Sequence, residues 1–142
     1  MIDTNHLLSA LNNDENVSLL NMTTKKIETI KENVLYELGI DDDTYDDYLD
    51  NKLKDYMYVD EIPDVKFGSY IRWISLKDPE NLKLTAGGII CDININENGV
   101  CILCKSIRNR MFQIRMDECL IFRKLTGQEK VLLSVMNHLN DE

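Results

Sequence analysis

The chain has 142 residues, of which 44% are hydrophobic and 29% are charged, and its formal net charge is −9. This length fits one domain, or a small domain with a helical appendage, and this composition is that of a globular chain, which excludes wholesale disorder. The charge is split, because residues 1–65 have 16 acids and 5 bases (−11), whereas residues 66–142 have 9 acids and 11 bases (+2).

The N-terminal part of the chain has the pattern of helices. Residues 1–22 mix leucines with an acidic, Asn-rich stretch, which predicts a frayed short helix or a mobile tail. Apolar residues then recur at helical spacing between Thr24, as N-cap, and Gly39. This pattern predicts a helix over residues 25–38.

A second helix is predicted over about residues 44–57, after the acidic run Asp41-Asp42-Asp43. Carboxylates are favoured at the positive end of a helix dipole, and the apolar residues that follow keep helical spacing. Pro63 breaks this period close to the point where the charge changes. We therefore divide the chain into an acidic helical segment, 1–65, and a second part, 66–142.

The second part has the pattern of strands joined by tight turns. Its β-branched and aromatic residues alternate in five segments. These are residues 70–76, 89–95, 100–106, 111–116 and 119–124. Asn98-Gly99 is typical of a hairpin turn. Within the second segment, Ile89, Cys91, Ile93 and Ile95 are expected to share one face.

A third helix is predicted over 126–139, because Thr126 and Glu129 have the spacing of a capping box. Its apolar stripe comprises Leu132, Val135, Met136 and Leu139. Closing five short strands would remove exposed sheet edges. The predicted fold class is therefore α+β: a small five-stranded antiparallel barrel or curled sheet, SH3-like or OB-like, with N-terminal helices and one C-terminal helix.

The four cysteines suggest a metal site at first sight, since Cys101 and Cys104 form a C-x-x-C motif. A structural zinc site needs converging pairs of ligands, whereas Cys91 and Cys119 are single and positions i and i+3 of a strand point to opposite faces. We expect core or surface thiols and neither a metal nor a disulfide.

No pattern of catalytic or cofactor-binding residues is found. The acidic run 41–47 lacks the Gly and Glu positions of a calcium loop, and Gly87-Gly88 is too short to hold a phosphate and precedes a strand. His6 and His138 are not placed to activate a nucleophile. We therefore expect a protein that is not an enzyme and binds no cofactor.

The remaining functional signal is a set of basic residues in the second half of the chain. The candidates for binding nucleic acid or a protein partner are Arg72, Lys105, Arg108, Arg110, Arg115, Arg123 and Lys124. Lys66 also belongs to this basic set. With Tyr70, Trp73 and Phe112 among them, they could grip phosphates while the rings stack on bases. The alternative is that the aromatic residues are core and the arginines pair with the acidic half.

Three segments resemble small proteins of large (nucleocytoplasmic) DNA viruses. They are Gly68-Ser69-Tyr70-Ile71-Arg72-Trp73-Ile74, Leu84-Thr85-Ala86-Gly87-Gly88-Ile89 and Ile121-Phe122-Arg123-Lys124-Leu125-Thr126. The resemblance covers about residues 66–126, and the Asn-, Ile-, Lys- and Asp-rich composition fits an AT-rich genome. It implies a viral accessory or virion-associated protein and brings no catalytic residue with it.

The split charge and the lack of a catalytic pattern together predict a non-enzymatic interaction or adaptor module with a protein partner. Its acidic helices would cover the barrel or recruit that partner. A nucleic-acid-binding barrel that uses a basic and aromatic face is the alternative, and an enzyme of another type is a third. No apolar run approaches the roughly 20 residues that span a bilayer, and no signal peptide pattern opens the chain. We expect a cytoplasmic or nuclear protein without membrane association.

Overall fold

The computed structural model describes residues 22–140. The helices are α1 (Thr24–Glu37), α2 (Asp42–Asp47) and α3 (Gly127–Asn140). The strands are β1 (Tyr56–Val59), β2 (Tyr70–Ser75), β3 (Gly88–Asn96), β4 (Gly99–Lys105), β5 (Met111–Arg115) and β6 (Cys119–Lys124). A π-helical turn at Tyr48–Lys52 follows α2, and 3-10 turns lie at Ile62–Asp64 and Met116–Glu118. The helix or tail predicted for residues 1–22 lies, apart from Met22, outside the described residues.

The first predicted helix is confirmed as α1, but its N-cap is Thr23. The Thr23 side chain accepts a hydrogen bond from the Lys26 amide, at 3.2 Å. Gly39 follows the helix end with a φ of 69°, a conformation that glycine adopts without steric cost. The buried side of α1 includes Leu35, which is fully enclosed.

The second predicted helix is wrong beyond Lys52, because the chain turns there and enters β1. The Leu53 amide donates to the Tyr48 carbonyl at 2.8 Å, the spacing of a π-helical turn. The buried Lys31 of α1 donates from Nζ to the Leu53 carbonyl at 2.7 Å, which fixes this end of the turn against α1. Tyr56 and the three residues after it alternate in burial and pair with β6, as a strand does.

The six strands form one antiparallel sheet in the order β1-β6-β2-β3-β4-β5. All five predicted strands are present, and the α+β class is confirmed. The prediction of five strands is wrong by one, because β1 adds to β6 at the edge of the sheet. The predicted boundary at residue 65 therefore falls between two segments, β1 and β2, that both pair with β6.

A β-bulge in β3 contradicts the predicted face of that strand. The register between β3 and β4 shifts between Ile90 and Asp92, so Cys91 is an extra residue. As a result, Ile90 is buried and Ile93 packs against the same core, whereas Ile89 and Ile95 are exposed.

The sheet is strongly curled but does not close into a barrel. The rings of Trp73 in β2 and Phe112 in β5 lie 6.1 Å apart, although two strands separate β2 from β5 in the sheet. The inner face carries the largest core cluster, with Trp73, Ile102 and Ile121 among its buried members. The outer face packs Phe122 against Leu35 of α1.

Helix α3 begins at the predicted capping box, which is confirmed. The Glu129 amide donates to Thr126 Oγ1 at 3.1 Å, and Glu129 Oε1 accepts from the Thr126 amide at 2.9 Å. Leu132 is buried as expected, and Leu133 joins Ile27 and Met57 in a smaller cluster. Leu139, the last residue of the predicted stripe, is 61% exposed. Among residues 22–140, no helix is both long and apolar enough to cross a membrane.

Candidate binding groove

The hairpin between β4 and β5 forms one wall of a groove. The Ser106 amide donates to the Arg110 carbonyl at 2.9 Å, and the Asn109 amide donates to the Ser106 carbonyl at 3.0 Å. Asn109 has a φ of 61°, which Asn tolerates better than most residues. This pattern is a three-residue hairpin loop with a bulge, and it holds Ile107 and Arg108 at the tip.

The segment before β3 forms the opposite wall, and β2 holds it in place. The Thr85 amide donates to the Trp73 carbonyl at 2.9 Å, and the Tyr70 hydroxyl donates to the Ala86 carbonyl at 2.6 Å. Gly87 has a φ of 91°, and a Cβ there would clash with the β2 backbone. The wall therefore has little freedom to move away from β2.

The space between these walls is about 510 Å³ in volume and is lined mainly by apolar groups. Trp73 and Phe112 form its base with their edge-on ring contact. Trp73 is only 6% exposed, whereas Phe112 is 41% and Ile107 is 85% exposed. An exposed concave apolar surface of this kind is typical of a binding site.

Arg108 and Arg110 are the two cations that line the groove. Both are exposed, and among residues 22–140 neither side chain has an ion pair or a hydrogen-bond partner. The groove therefore combines an apolar base with positive charge at one rim, and that charge is available to an anionic group.

The structure does not bring the other predicted basic residues into the groove. Arg72 donates hydrogen bonds to backbone carbonyls, and its Nε lies 2.8 Å from the carbonyl oxygen of Thr85. Arg115 pairs with Asp117 at 3.3 Å and also binds the Asn98 carbonyl. Each of these guanidinium groups is thus already engaged with the protein itself.

Arg123 is fully buried, so it cannot contact a partner at the surface. Its guanidinium forms a two-point ion pair with Glu129, with N to O distances of 2.6 and 2.8 Å. Lys105 is exposed on β4 next to the hairpin tip, and Lys124 is exposed at the end of β6. Lys66 is half-buried and has contacts of its own. Only part of the predicted basic set is therefore accessible.

In the part of the chain that the structure describes, no arginine forms an ion pair with an acid of residues 22–65. An ion pair between Lys130 and Asp55, at 3.4 Å, joins the two halves. Asp41 instead caps α2, since its side chain accepts from the Thr44 amide at 2.7 Å. That hydrogen bond holds the pKa of Asp41 below its usual value.

The cysteines do not converge on a metal site in the part of the chain that the structure describes. No group of three or more His, Cys, Asp or Glu side chains there has the arrangement of a metal centre. Cys104 is buried in the inner core, Cys91 is exposed, and Cys101 and Cys119 are half-buried. Burial, with smaller contributions from Cys91 and Cys119, raises the pKa of Cys104 to about 12. Such a thiol is an unreactive core residue.

The sequence pattern predicts Arg108, Arg110, Trp73 and Phe112 as members of a site but not Ile107, which the structure adds to them. The sequence feature that could have identified Ile107 is its position as an isolated isoleucine in a turn, where polar residues are usual. Comparison of the chain with known protein families, with curated proteins and with solved structures gives no match. The groove is therefore the feature of the molecule that points to a function.

Proposed function

We propose that this protein is a non-enzymatic interaction module that binds a segment of a protein partner in the groove between the β4–β5 hairpin and the residues before β3. The observation that supports this most directly is the pairing of an exposed apolar surface at Ile107 and Phe112 with the two uncompensated arginines, Arg108 and Arg110. An acidic segment with an apolar anchor side chain complements both features.

The apolar anchor supplies most of the affinity in this proposal, and the arginines select for acidic neighbours. Burial of an apolar side chain against Phe112 and Ile107 removes both partners from water, which is favourable in proportion to the area buried. Exposed charges contribute less to affinity but raise the association rate and reject basic segments. A viral accessory or virion-associated role, which the sequence resemblance implies, is compatible with such a module.

Selection from a library of random octapeptides, displayed on phage, tests this function. We expect enriched peptides that combine acidic residues with one large apolar residue. Their affinity, measured by fluorescence anisotropy, should fall by at least about tenfold for Ile107→Asp, as for a central interface residue. The matched control is Ile95→Asp, since Ile95 is also exposed, at 62%, but lies on β3 outside the groove.

A second pair of variants tests the charge selection. Arg108→Glu with Arg110→Glu should weaken binding of acidic peptides, whereas Lys124→Glu, which changes an exposed cation on β6, should change it little. Selected peptides that bind Ile107→Asp as well as the native protein would contradict the proposed function. So would a library from which no peptide is enriched.

Single-stranded nucleic acid is the second candidate ligand, because Arg108 and Arg110 line the same groove as Phe112, which is 41% exposed. The low exposure of Trp73, at 6%, leaves little of that ring for a base to stack on. With Lys105, about three cations could contact phosphates, so affinity should depend on salt with a log–log slope of only about −2. A single-stranded 20-mer of DNA or RNA should therefore bind weakly at about 0.15 M salt.

A binding measurement with the 20-mer decides whether nucleic acid is the ligand. Micromolar or tighter binding of the 20-mer at about 0.15 M salt, lost in the Arg108→Glu, Arg110→Glu double variant while the fold persists, would place it first. Circular dichroism of the double variant checks the fold.

A further inference from the structure

Strand β5 is an edge of the sheet, and Phe112 within it lines the groove. Within the described residues, β5 pairs with β4 and with no other strand. At one end of β5, Arg110 and Phe112 line the groove. At the other end, Gln113, Ile114 and Arg115 line a second cavity of about 380 Å³. An unpaired edge of this kind is a template for another strand.

The hairpin geometry determines which backbone groups on β5 are free. The Ser106 amide donates to the Arg110 carbonyl, so Ser106 and Arg110 form a hydrogen-bonded pair. In an antiparallel ladder such pairs alternate with pairs that are not bonded to each other. The register pairs Phe112 with Cys104 and Ile114 with Ile102, so these are bonded pairs. Met111 and Gln113 therefore direct their amide and carbonyl groups away from β4.

Trp73 lines both cavities, and Phe112, whose ring contacts Trp73, lines the groove. A strand of about five residues is roughly 17 Å long. A segment extended beside β5 would pass along both cavities, and alternate side chains of that segment would enter them, because successive side chains of a strand point to opposite faces.

We propose that the partner segment adds to the sheet as a seventh strand, paired with Met111 and Gln113 of β5. This inference rests on the proposed function and specifies its binding mode: backbone hydrogen bonds supply affinity, and the groove selects the side chains. The occupant is an extended, acidic segment of a different protein, with an apolar residue placed for the groove.

The charge of the hairpin favours that occupant over a second copy of this chain. Residues 105–116 contain four bases, Lys105, Arg108, Arg110 and Arg115, and no acid. Arg108 and Arg110 lack counter-charges among the described residues. Two β5 strands side by side would bring basic hairpins together, whereas an acidic strand would neutralise them.

Amide hydrogen exchange, followed by NMR with a peptide from the octapeptide selection as the probe, tests the binding mode. With the peptide bound, exchange at the Met111 and Gln113 amides should slow by about tenfold or more, because those amides become hydrogen-bonded. The Phe112 and Ile114 amides, already bonded to β4, should change much less.

Two substitutions at one position separate the backbone from the side chain. Gln113→Pro removes the free amide, and proline is tolerated on an edge strand where its nitrogen faces away from the neighbour. Gln113→Ala removes the side chain but keeps the amide. We expect peptide affinity to fall by at least about tenfold for Gln113→Pro and by less than about twofold for Gln113→Ala. N-methylation of the peptide at alternate residues, which should abolish binding in one phase and not in the other, covers the case in which Gln113→Pro fails to fold.

Each outcome decides the proposal. A peptide that depends on Ile107 but protects neither Met111 nor Gln113, and binds Gln113→Pro normally, overturns strand addition and leaves the proposed function in place. A peptide that is insensitive to Ile107→Asp overturns the proposed function itself. If light scattering shows a dimer whose formation protects the Met111 and Gln113 amides without peptide, the occupant is a second copy and the proposal is wrong.

Discussion

The guanidinium of Arg123 and the carboxylate of Glu129 form a buried, two-point ion pair that joins β6 to the first turn of α3. The exposed fraction of these side chains is 0% and 1%. The same carboxylate accepts the Thr126 amide, so one group caps the helix and neutralises a buried cation. Loss of this carboxylate would leave the Arg123 charge without a partner in the interior.

Glu129→Gln should therefore destabilise the fold by about 3–5 kcal/mol, the usual cost of breaking a buried ion pair by removing one partner. Urea unfolding followed by circular dichroism gives the free energy of unfolding. Lys130→Ala is the control, because Lys130 belongs to an exposed pair with Asp55 and should cost less than about 1 kcal/mol. Similar costs for the two variants would contradict this role of Glu129.

The penalty for Glu129→Gln should depend on pH. Burial raises the pKa of Glu129, but the hydrogen bonds and charge of Arg123 and the Thr126 amide outweigh burial, so the pKa lies below its usual value of 4.5. The carboxylate thus contributes stability that is present above the usual pKa and is lost as the pH falls through the lowered one. The difference in unfolding free energy between native protein and variant should shrink below about pH 4.5. A difference that stays constant into the acid-unfolding range would contradict this.

Leu132→Ala should cost about 2–5 kcal/mol, since Leu132 is fully buried and its truncation leaves a cavity. Leu139→Ala on the same helix should change the free energy of unfolding by less than about 0.5 kcal/mol, because Leu139 is 61% exposed. Thermal or urea unfolding measures both. Equal costs would show that α3 packs on a different face from the one described.

The four thiols should react with DTNB in an order set by their burial. Exposed Cys91 should react first in the native protein, whereas Cys104, buried and with a pKa near 12, should react only on unfolding. Cys91→Ser should remove the fast phase. Unfolding without a reducing agent should release all four thiols, and elemental analysis should find no stoichiometric zinc. Fewer thiols, or about one zinc per chain, would contradict this expectation.

Local sequence patterns were sufficient to predict those elements whose structure depends on short-range interactions. Helix α1, the β3–β4 hairpin and the capping box at Thr126 and Glu129 follow from residues within a few positions of each other. The turn of that hairpin is Glu97-Asn98 and not the predicted Asn98-Gly99, because Gly99, with a φ of 109°, already pairs with Asn96. The N-cap of α1 is Thr23 and not the predicted Thr24, an ambiguity that is expected where two threonines are adjacent.

Long-range pairing decided what local patterns left ambiguous. The apolar residues around Tyr56 and Met57 fit a helix by spacing, but pairing with β6 makes them a strand. The bulge at Cys91 reverses which isoleucines of β3 face the core, and a one-residue shift of this kind leaves no clear mark on an alternating sequence. The sequence also cannot distinguish Arg123, which is buried against Glu129, from the exposed Arg108.

By itself, then, the sequence determined the α+β class, five of the six strands and a basic second half, because alternation, capping and composition are local properties. The curl of the sheet, which only the tertiary structure shows, determines the groove. It brings Trp73 of β2 against Phe112 of β5, residues 39 positions apart in the numbering, and so forms the base of the groove. It also leaves Arg108 and Arg110 beside that base and uses Arg123 inside the protein. Which cations remain available to a partner depends on tertiary contacts, since only these contacts determine where each buried charge finds its counter-ion.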